Sequence, residues 1–197
     1  MVIKPKLFNF IILGLSFPHL SEAHSLFGDT QPIINGLLHP FITIPHLLIL
    51  FSVGFLLLTH KQQLPILTVF ISGLMLGFAG QWFSHNLSFE ILTLILVGLA
   101  GILVATKKQL PIYLLGFPIV LSSFIVGHET RSELESLGPH LFFMLSTTFG
   151  ILAFFSYAVI LKIFIKQEWQ WVVIRALGSW LFAISLMMLA FYAKGLN

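Results

Sequence analysis

The sequence predicts an all-α polytopic membrane protein, a helical bundle of six transmembrane helices following an N-terminal signal peptide. Three observations predict it. The first is composition: of 197 residues 57% are hydrophobic and 9% charged, and the mean hydropathy is +1.00. An ordinary soluble domain is about 25% charged, and one small core cannot hide this much apolar surface. The second is that the apolar residues fall in runs of membrane-crossing length. The third is that the cations collect on alternate connections between those runs. The same composition excludes disorder, collagen and coiled coil. With no cysteine, the chain has no disulfide framework, thiolate metal site or cysteine nucleophile. The formal net charge of +3 comes from scattered residues, so there is no basic patch and no nucleic-acid partner is expected.

The first element, residues 1–23, reads as a signal peptide. Lys4 and Lys6 precede an apolar stretch from Leu7 to Phe17, too short for a hydrocarbon core that needs roughly 20 residues. Ser21-Glu22-Ala23 offers the small residues a signal peptidase reads, with cleavage expected before His24. The alternative is an uncleaved interfacial anchor. Cleavage leaves residues 24–197 as the mature domain, in a bacterial inner membrane with its N-terminus in the periplasm. Six apolar runs follow: Gly36–Leu58, Leu64–Ser84, Phe89–Ala105, Leu110–Gly127, His140–Ile165 and Gln170–Ala193. Backbone groups in lipid must be satisfied internally, which favours helices, and no ten-residue alternation suggests a barrel. The third and fourth runs are at the short limit for a span. In this topology the three inner linkers and their flanks hold Lys61, Lys107, Lys108, Lys162, Lys166 and Arg175, and the outer side holds Arg131 and Lys194. Six against two agrees with the positive-inside bias. Trp82, Trp169 and Trp171 sit near span ends, where amphipathic rings prefer to lie.

Within the bundle, Leu48–Ile66 aligns with Leu94–Ile112 at a shift of 46, with nine identities in 19 positions. The shared Lys-x-Gln-Leu-Pro-Ile turn is the distinctive part. The same shift carries His39 onto His85, so residues 36–84 and 85–127 read as a possible parallel repeat, each copy holding two spans. Gly73, Gly77 and Gly80 in the second span, and Gly98 and Gly101 in the third, give spacings that let helices approach closely.

Histidines carry whatever chemistry the chain has. His46 falls about ten residues into the first span, and an ionisable residue at that depth points to function. His39 is seven residues earlier, so on one continuous helix the two share a face about 10.5 Å apart. Bonds near 2 Å cannot join both to one ion at that distance, and two successive stations on a path fit better. Asn35 and Thr43 extend the polar stripe, and Pro45 interrupts the hydrogen-bond ladder. In the fifth span His140, Met144 and Thr147 repeat the helical spacing. The outer loop His128–Gly138 gathers His128, Glu129, Glu133 and Glu135, a set suited to a divalent cation, although a solvated loop explains it as well. Ser132 stands where a zincin motif needs its second histidine, which removes the protease reading. After cleavage His24 presents its amine and imidazole together for copper or nickel. For each membrane histidine the plain alternative is an inter-helix hydrogen bond. No nucleophile elbow or phosphate loop is present, so the chain is not expected to be an enzyme.

The signal ending before His24, the six runs, Gly36-Leu37-Leu38-His39-Pro40 with His46, and Arg175-Ala176-Leu177-Gly178 together resemble the HupE/UreJ family of nickel permeases. Family members typically carry H-P-x-x-G-x-D-H in the first span. Here the stretch is His39-Pro40-Phe41-Ile42-Thr43-Ile44-Pro45-His46, so Thr43 replaces the glycine and Pro45 the aspartate. A second family motif, near F-H-G-x-A-x-G-x-E, is represented at most by Gly127, His128 and Glu135. The resemblance implies a permease moving nickel, or cobalt or copper, inward as cargo, with no permanently bound cofactor. His24, His128, Glu129 and His140 are the candidate outer ligands, and His39 then His46 the inward path. The lost aspartate leaves a divalent ion short of negative charge, with Glu90 and Glu129 the nearby carboxylates that could replace it. The alternative is a non-transporting accessory subunit packed against partner membrane subunits, a reading that the missing aspartate and the 21 phenylalanines favour.

Overall fold

The computed structural model describes residues 31–82, 88–130 and 137–194. The expected signal peptide, His24, His85, Glu133 and Glu135 lie outside the described residues. Among the described residues the chain is entirely helical, with seven helices: α1 (Pro32–Ile42), α2 (Ile44–Thr59), α3 (Gln63–Gly80), α4 (Glu90–Thr106), α5 (Ile112–Glu129), α6 (Leu137–Phe164) and α7 (Glu168–Ala193).

Four of them, α3, α5, α6 and α7, are long and apolar enough to cross a membrane. The pair α1 and α2 makes a fifth if taken as one broken span, bent by 71°. Helix α4 is apolar but shorter, at 17 residues. The break between α1 and α2 has a local cause. Pro45 has no N–H to donate and its ring collides with the carbonyl four residues back. Thr43 therefore leaves the helical region (φ −75°, ψ 108°) and ends one helix as it caps the next. Its N–H donates to the His39 carbonyl at 3.2 Å, and its carbonyl accepts from the Leu47 N–H at 2.9 Å.

Three close helix pairs build the bundle. Helices α3 and α5 cross in parallel, since Gly73 faces Val120 and Ser123 while Gly77 faces Phe124 and Gly127. Here glycine is required: a Cβ on Gly77 would sit 2.3 Å from the Phe124 carbonyl oxygen, and one on Gly127 2.3 Å from that of Leu74. Helices α4 and α7 run antiparallel, with Gly101 against Gly178 and Phe182. Helix α1 lies along α6, where the Thr147 hydroxyl donates to the Gly36 carbonyl at 2.8 Å. Helix α2 fills the centre. Its Ile49, Leu50, Val53 and Leu57 pack with Phe70, Leu74 and Phe155 in the main apolar cluster. The α2 and α4 N-caps, Thr43 and Phe89, are themselves separated by the 46-residue shift of the sequence alignment.

The turns sort to two ends. At one end the Gln109 amide donates to the Thr59 carbonyl at 2.9 Å, and its oxygen accepts from the Lys61 N–H at 3.2 Å. There too the Lys162 ammonium donates to the His60 carbonyl at 2.6 Å and the Arg175 Nε to that of Ala105 at 2.8 Å. Lys107 lies over the Trp171 ring at 4.7 Å. At the opposite end the buried Gln81 amide donates to the carbonyls of Gly127 and Thr130, at 2.6 and 2.7 Å, tying α3 to α5.

A candidate metal-ion site at the broken helix

The bend at Thr43 corrects the 10.5 Å spacing expected of a continuous helix. The His39 and His46 rings meet edge to face across it, with centroids 5.3 Å apart. Two stations on a straight helix become two neighbouring imidazoles on either side of a corner. His46 is fully buried, and its Nε2 lies 3.2 Å from Glu129 Oε2 at the end of α5. With the carboxylate ionised, Nε2 carries the proton and donates to it. In the neutral ring the Nδ1 of His46 is then a lone pair, and it has no hydrogen-bond partner. The buried His39 Nε2 and Thr43 Oγ1 also lack partners. Buried polar atoms are nearly always satisfied, so three unsatisfied ones on a single corner are a departure that asks for a ligand.

Elsewhere the candidate residues separate. The His39 ring rests edge to face on Phe143 of α6 at 5.4 Å, a contact the sequence did not suggest. His128 follows Gly127 on α5, one residue before Glu129, yet turns the other way. It is held between Phe89 and Phe124, at 5.3 and 5.7 Å, with its Nε2 buried and unpartnered. His140 meets Trp82 at 6.4 Å, just beyond the Gly80 end of α3. Met144 and Thr147, which share its spacing, pack into the core and against α1. The structure thus brings His39, His46 and Glu129 together and leaves His128 and His140 at separate positions. Among the described residues no three His, Asp or Glu side chains stand in ligating geometry as placed.

Of the two carboxylates that the sequence offered in place of the missing aspartate, Glu90 and Glu129, it is Glu129 that lies against His46. Pro45 removes the carboxylate from the first span and also makes the corner that turns His46 toward α5. What the sequence did not show was the size of the bend. Its signal was present in Pro40 and Pro45 flanking Thr43, whose short side chain tolerates extended backbone.

Membrane-length apolar helices packed through glycine contacts define a multi-pass helical membrane protein. The chain belongs to the HupE/UreJ family: the family model, described as HupE / UreJ protein, matches residues 12–188. That family is one of transporters and accessory proteins, generally in nickel or cobalt handling, and not a family of enzymes. Neither the curated proteins nor the solved structures include a significant match.

Proposed function

We propose that the protein is a permease for a transition-metal cation, nickel in the first instance, and that the corner between α1 and α2, beside the end of α5, lies on the path of the ion. One observation carries this reading: a fully buried His46 on the Glu129 carboxylate at 3.2 Å, with the His39 ring beside it. A divalent ion leaving water needs negative charge and strong donors to offset its lost hydration. Imidazole suits nickel, cobalt, copper and zinc, and Glu129 supplies the charge that Pro45 took from the first span. In this reading α1 and α2 form one broken span and α4 a short one, giving six crossings after the signal. The mature N-terminus is periplasmic, and cargo moves inward. His24, His128 and His140 serve as outer capture groups.

The test is uptake of radioactive nickel by cells lacking other nickel importers. Glu129→Gln keeps the shape and the hydrogen bond but removes the charge, and His46→Ala removes the central imidazole. Each is expected to lower uptake about 10–100-fold, the usual cost of losing a group that tunes a metal ligand, at unchanged membrane abundance. Uptake at the wild-type rate in both variants would leave the accessory-subunit reading in its place.

A further inference from the structure

We propose that the cation-rich end of the bundle holds one anionic phospholipid, its headgroup on Lys61 and Lys108 and one acyl chain in a cleft between α2, α4 and α5. Two independent features meet here. The first is the cleft, whose lining includes Leu56, Leu99, Leu103, Leu115 and Pro118. Leu99 is half exposed, so the cleft opens to the outside of the bundle rather than into its core. Its two polar neighbours present no free donor: the Ser52 hydroxyl donates to the Ile49 carbonyl at 2.8 Å and that of Ser122 to the Pro118 carbonyl at 2.8 Å. What remains facing outward is hydrocarbon, the surface an acyl chain covers.

The second feature is the pair of turns directly above. Leu56 lies four residues before His60, Leu103 four before Lys107, and Leu115 in the first turn of α5. The cleft therefore begins about 6 Å below the turns. Gln109 stitches those turns together through its bonds to Thr59 and Lys61. This brings the exposed Lys61 and Lys108 to the mouth of the cleft. Of the other cations at this end, Lys107 is engaged on Trp171, Lys162 on the His60 carbonyl and Arg175 on the Ala105 carbonyl, while Lys166 sits on the turn between α6 and α7, neither of which lines the cleft. The free ammonium groups of Lys61 and Lys108 above an outward-opening apolar cleft match a phosphate-bearing headgroup with its chain running down the bundle surface. A polar or zwitterionic partner would leave that charge unanswered, and a protein helix would need a broader apolar face.

The full-length protein in mild detergent can be titrated with phosphatidylglycerol, phosphatidylcholine or inorganic phosphate and read by native mass spectrometry. The expected result is one saturable phosphatidylglycerol per chain, at least tenfold preferred over phosphatidylcholine. The double variant Lys61→Gln/Lys108→Gln should lose about tenfold or more in that affinity, since each lysine near an anionic surface contributes measurably. Leu99→Trp, at a half-exposed position, should block the slot and weaken binding similarly. Lys107→Gln/Lys166→Gln removes the same charge from the same end and should stay within twofold of wild type. Equal losses in the two double variants, equal binding of both lipids, or displacement by inorganic phosphate would each overturn the site. Nickel uptake plays no part in these readouts, so the lipid site stands or falls apart from the permease reading.

Discussion

His60 shows how much a single side chain depends on its surroundings. It caps α2 and is buried at 3% exposure. The Gln62 N–H donates to its Nδ1 at 3.2 Å, so Nδ1 is a lone pair and the folded turn needs the ring neutral. Burial holds its pKa below the ordinary value; the Lys162 ammonium adds to that shift, and the Leu110 backbone opposes it. A histidine with a lowered folded pKa binds fewer protons folded than unfolded in the window between the two values. Its contribution to stability is complete above the unfolded value near 6.5, and it is lost as the pH falls through the lower folded one. The thermal midpoint in detergent should therefore drop between pH 7.5 and pH 5, with His60 supplying part of the fall. His60→Gln should flatten that part of the slope. An unchanged slope in the variant would show that His60 is solvated in the folded state. The Glu129→Gln and His46→Ala uptake measurements belong to this same scale.

The informative element is the broken helix. Most of the helical layout was legible from hydropathy: α2 to α7 fall within or close to the six apolar runs, because a lipid-facing helix must be apolar along its length. The angle between α1 and α2 was not legible, since apolar periodicity reports which residues avoid water and says nothing of the direction in which a segment points. Pro45 announces an interruption, and packing decides how far it opens. Here α1 leans onto α6 through Gly36, Phe143 and Thr147, which fixes the 71° bend. Pro45→Ala restores the missing N–H and lets α1 and α2 approach a continuous helix. With no native cysteine, paired spin labels can be placed on the exposed Ile33 and Phe51 alone. Straightening should lengthen their separation by about 5 Å, draw the His39 and His46 rings apart, and lower nickel uptake with the protein still folded. An unchanged distance would mean that the α1–α6 packing alone holds the corner.

At the scale of the whole molecule, the two ends differ in a way that a one-dimensional count anticipated. Lys61, Lys107, Lys108, Lys162, Lys166 and Arg175 were assigned to one side from their places on alternate linkers. The folded chain gathers them at one end, through Gln109 on Thr59, Lys162 on His60, Arg175 on Ala105 and Lys107 on Trp171. The Trp82–His140 and Phe89–His128 ring pairs lie at the other. This was readable from sequence because consecutive antiparallel helices must place alternate turns together. The candidate site was readable only in part, since His46 meets Glu129 across 83 residues of chain, through a contact no local spacing encodes. Charge asymmetry sets direction in the membrane, so the cationic end should face the cytoplasm and the Trp82 end the periplasm. The chain's lack of cysteine makes this testable one position at a time. Trp82→Cys should react with a membrane-impermeant maleimide in intact spheroplasts. Lys108→Cys and Lys166→Cys should react only after the membrane is opened. The reverse pattern would invert the protein and turn inward permeation into export. Labelling of all three from outside would show that α4 does not cross, because a helix of 17 residues would then have left the turn after it on the outer side.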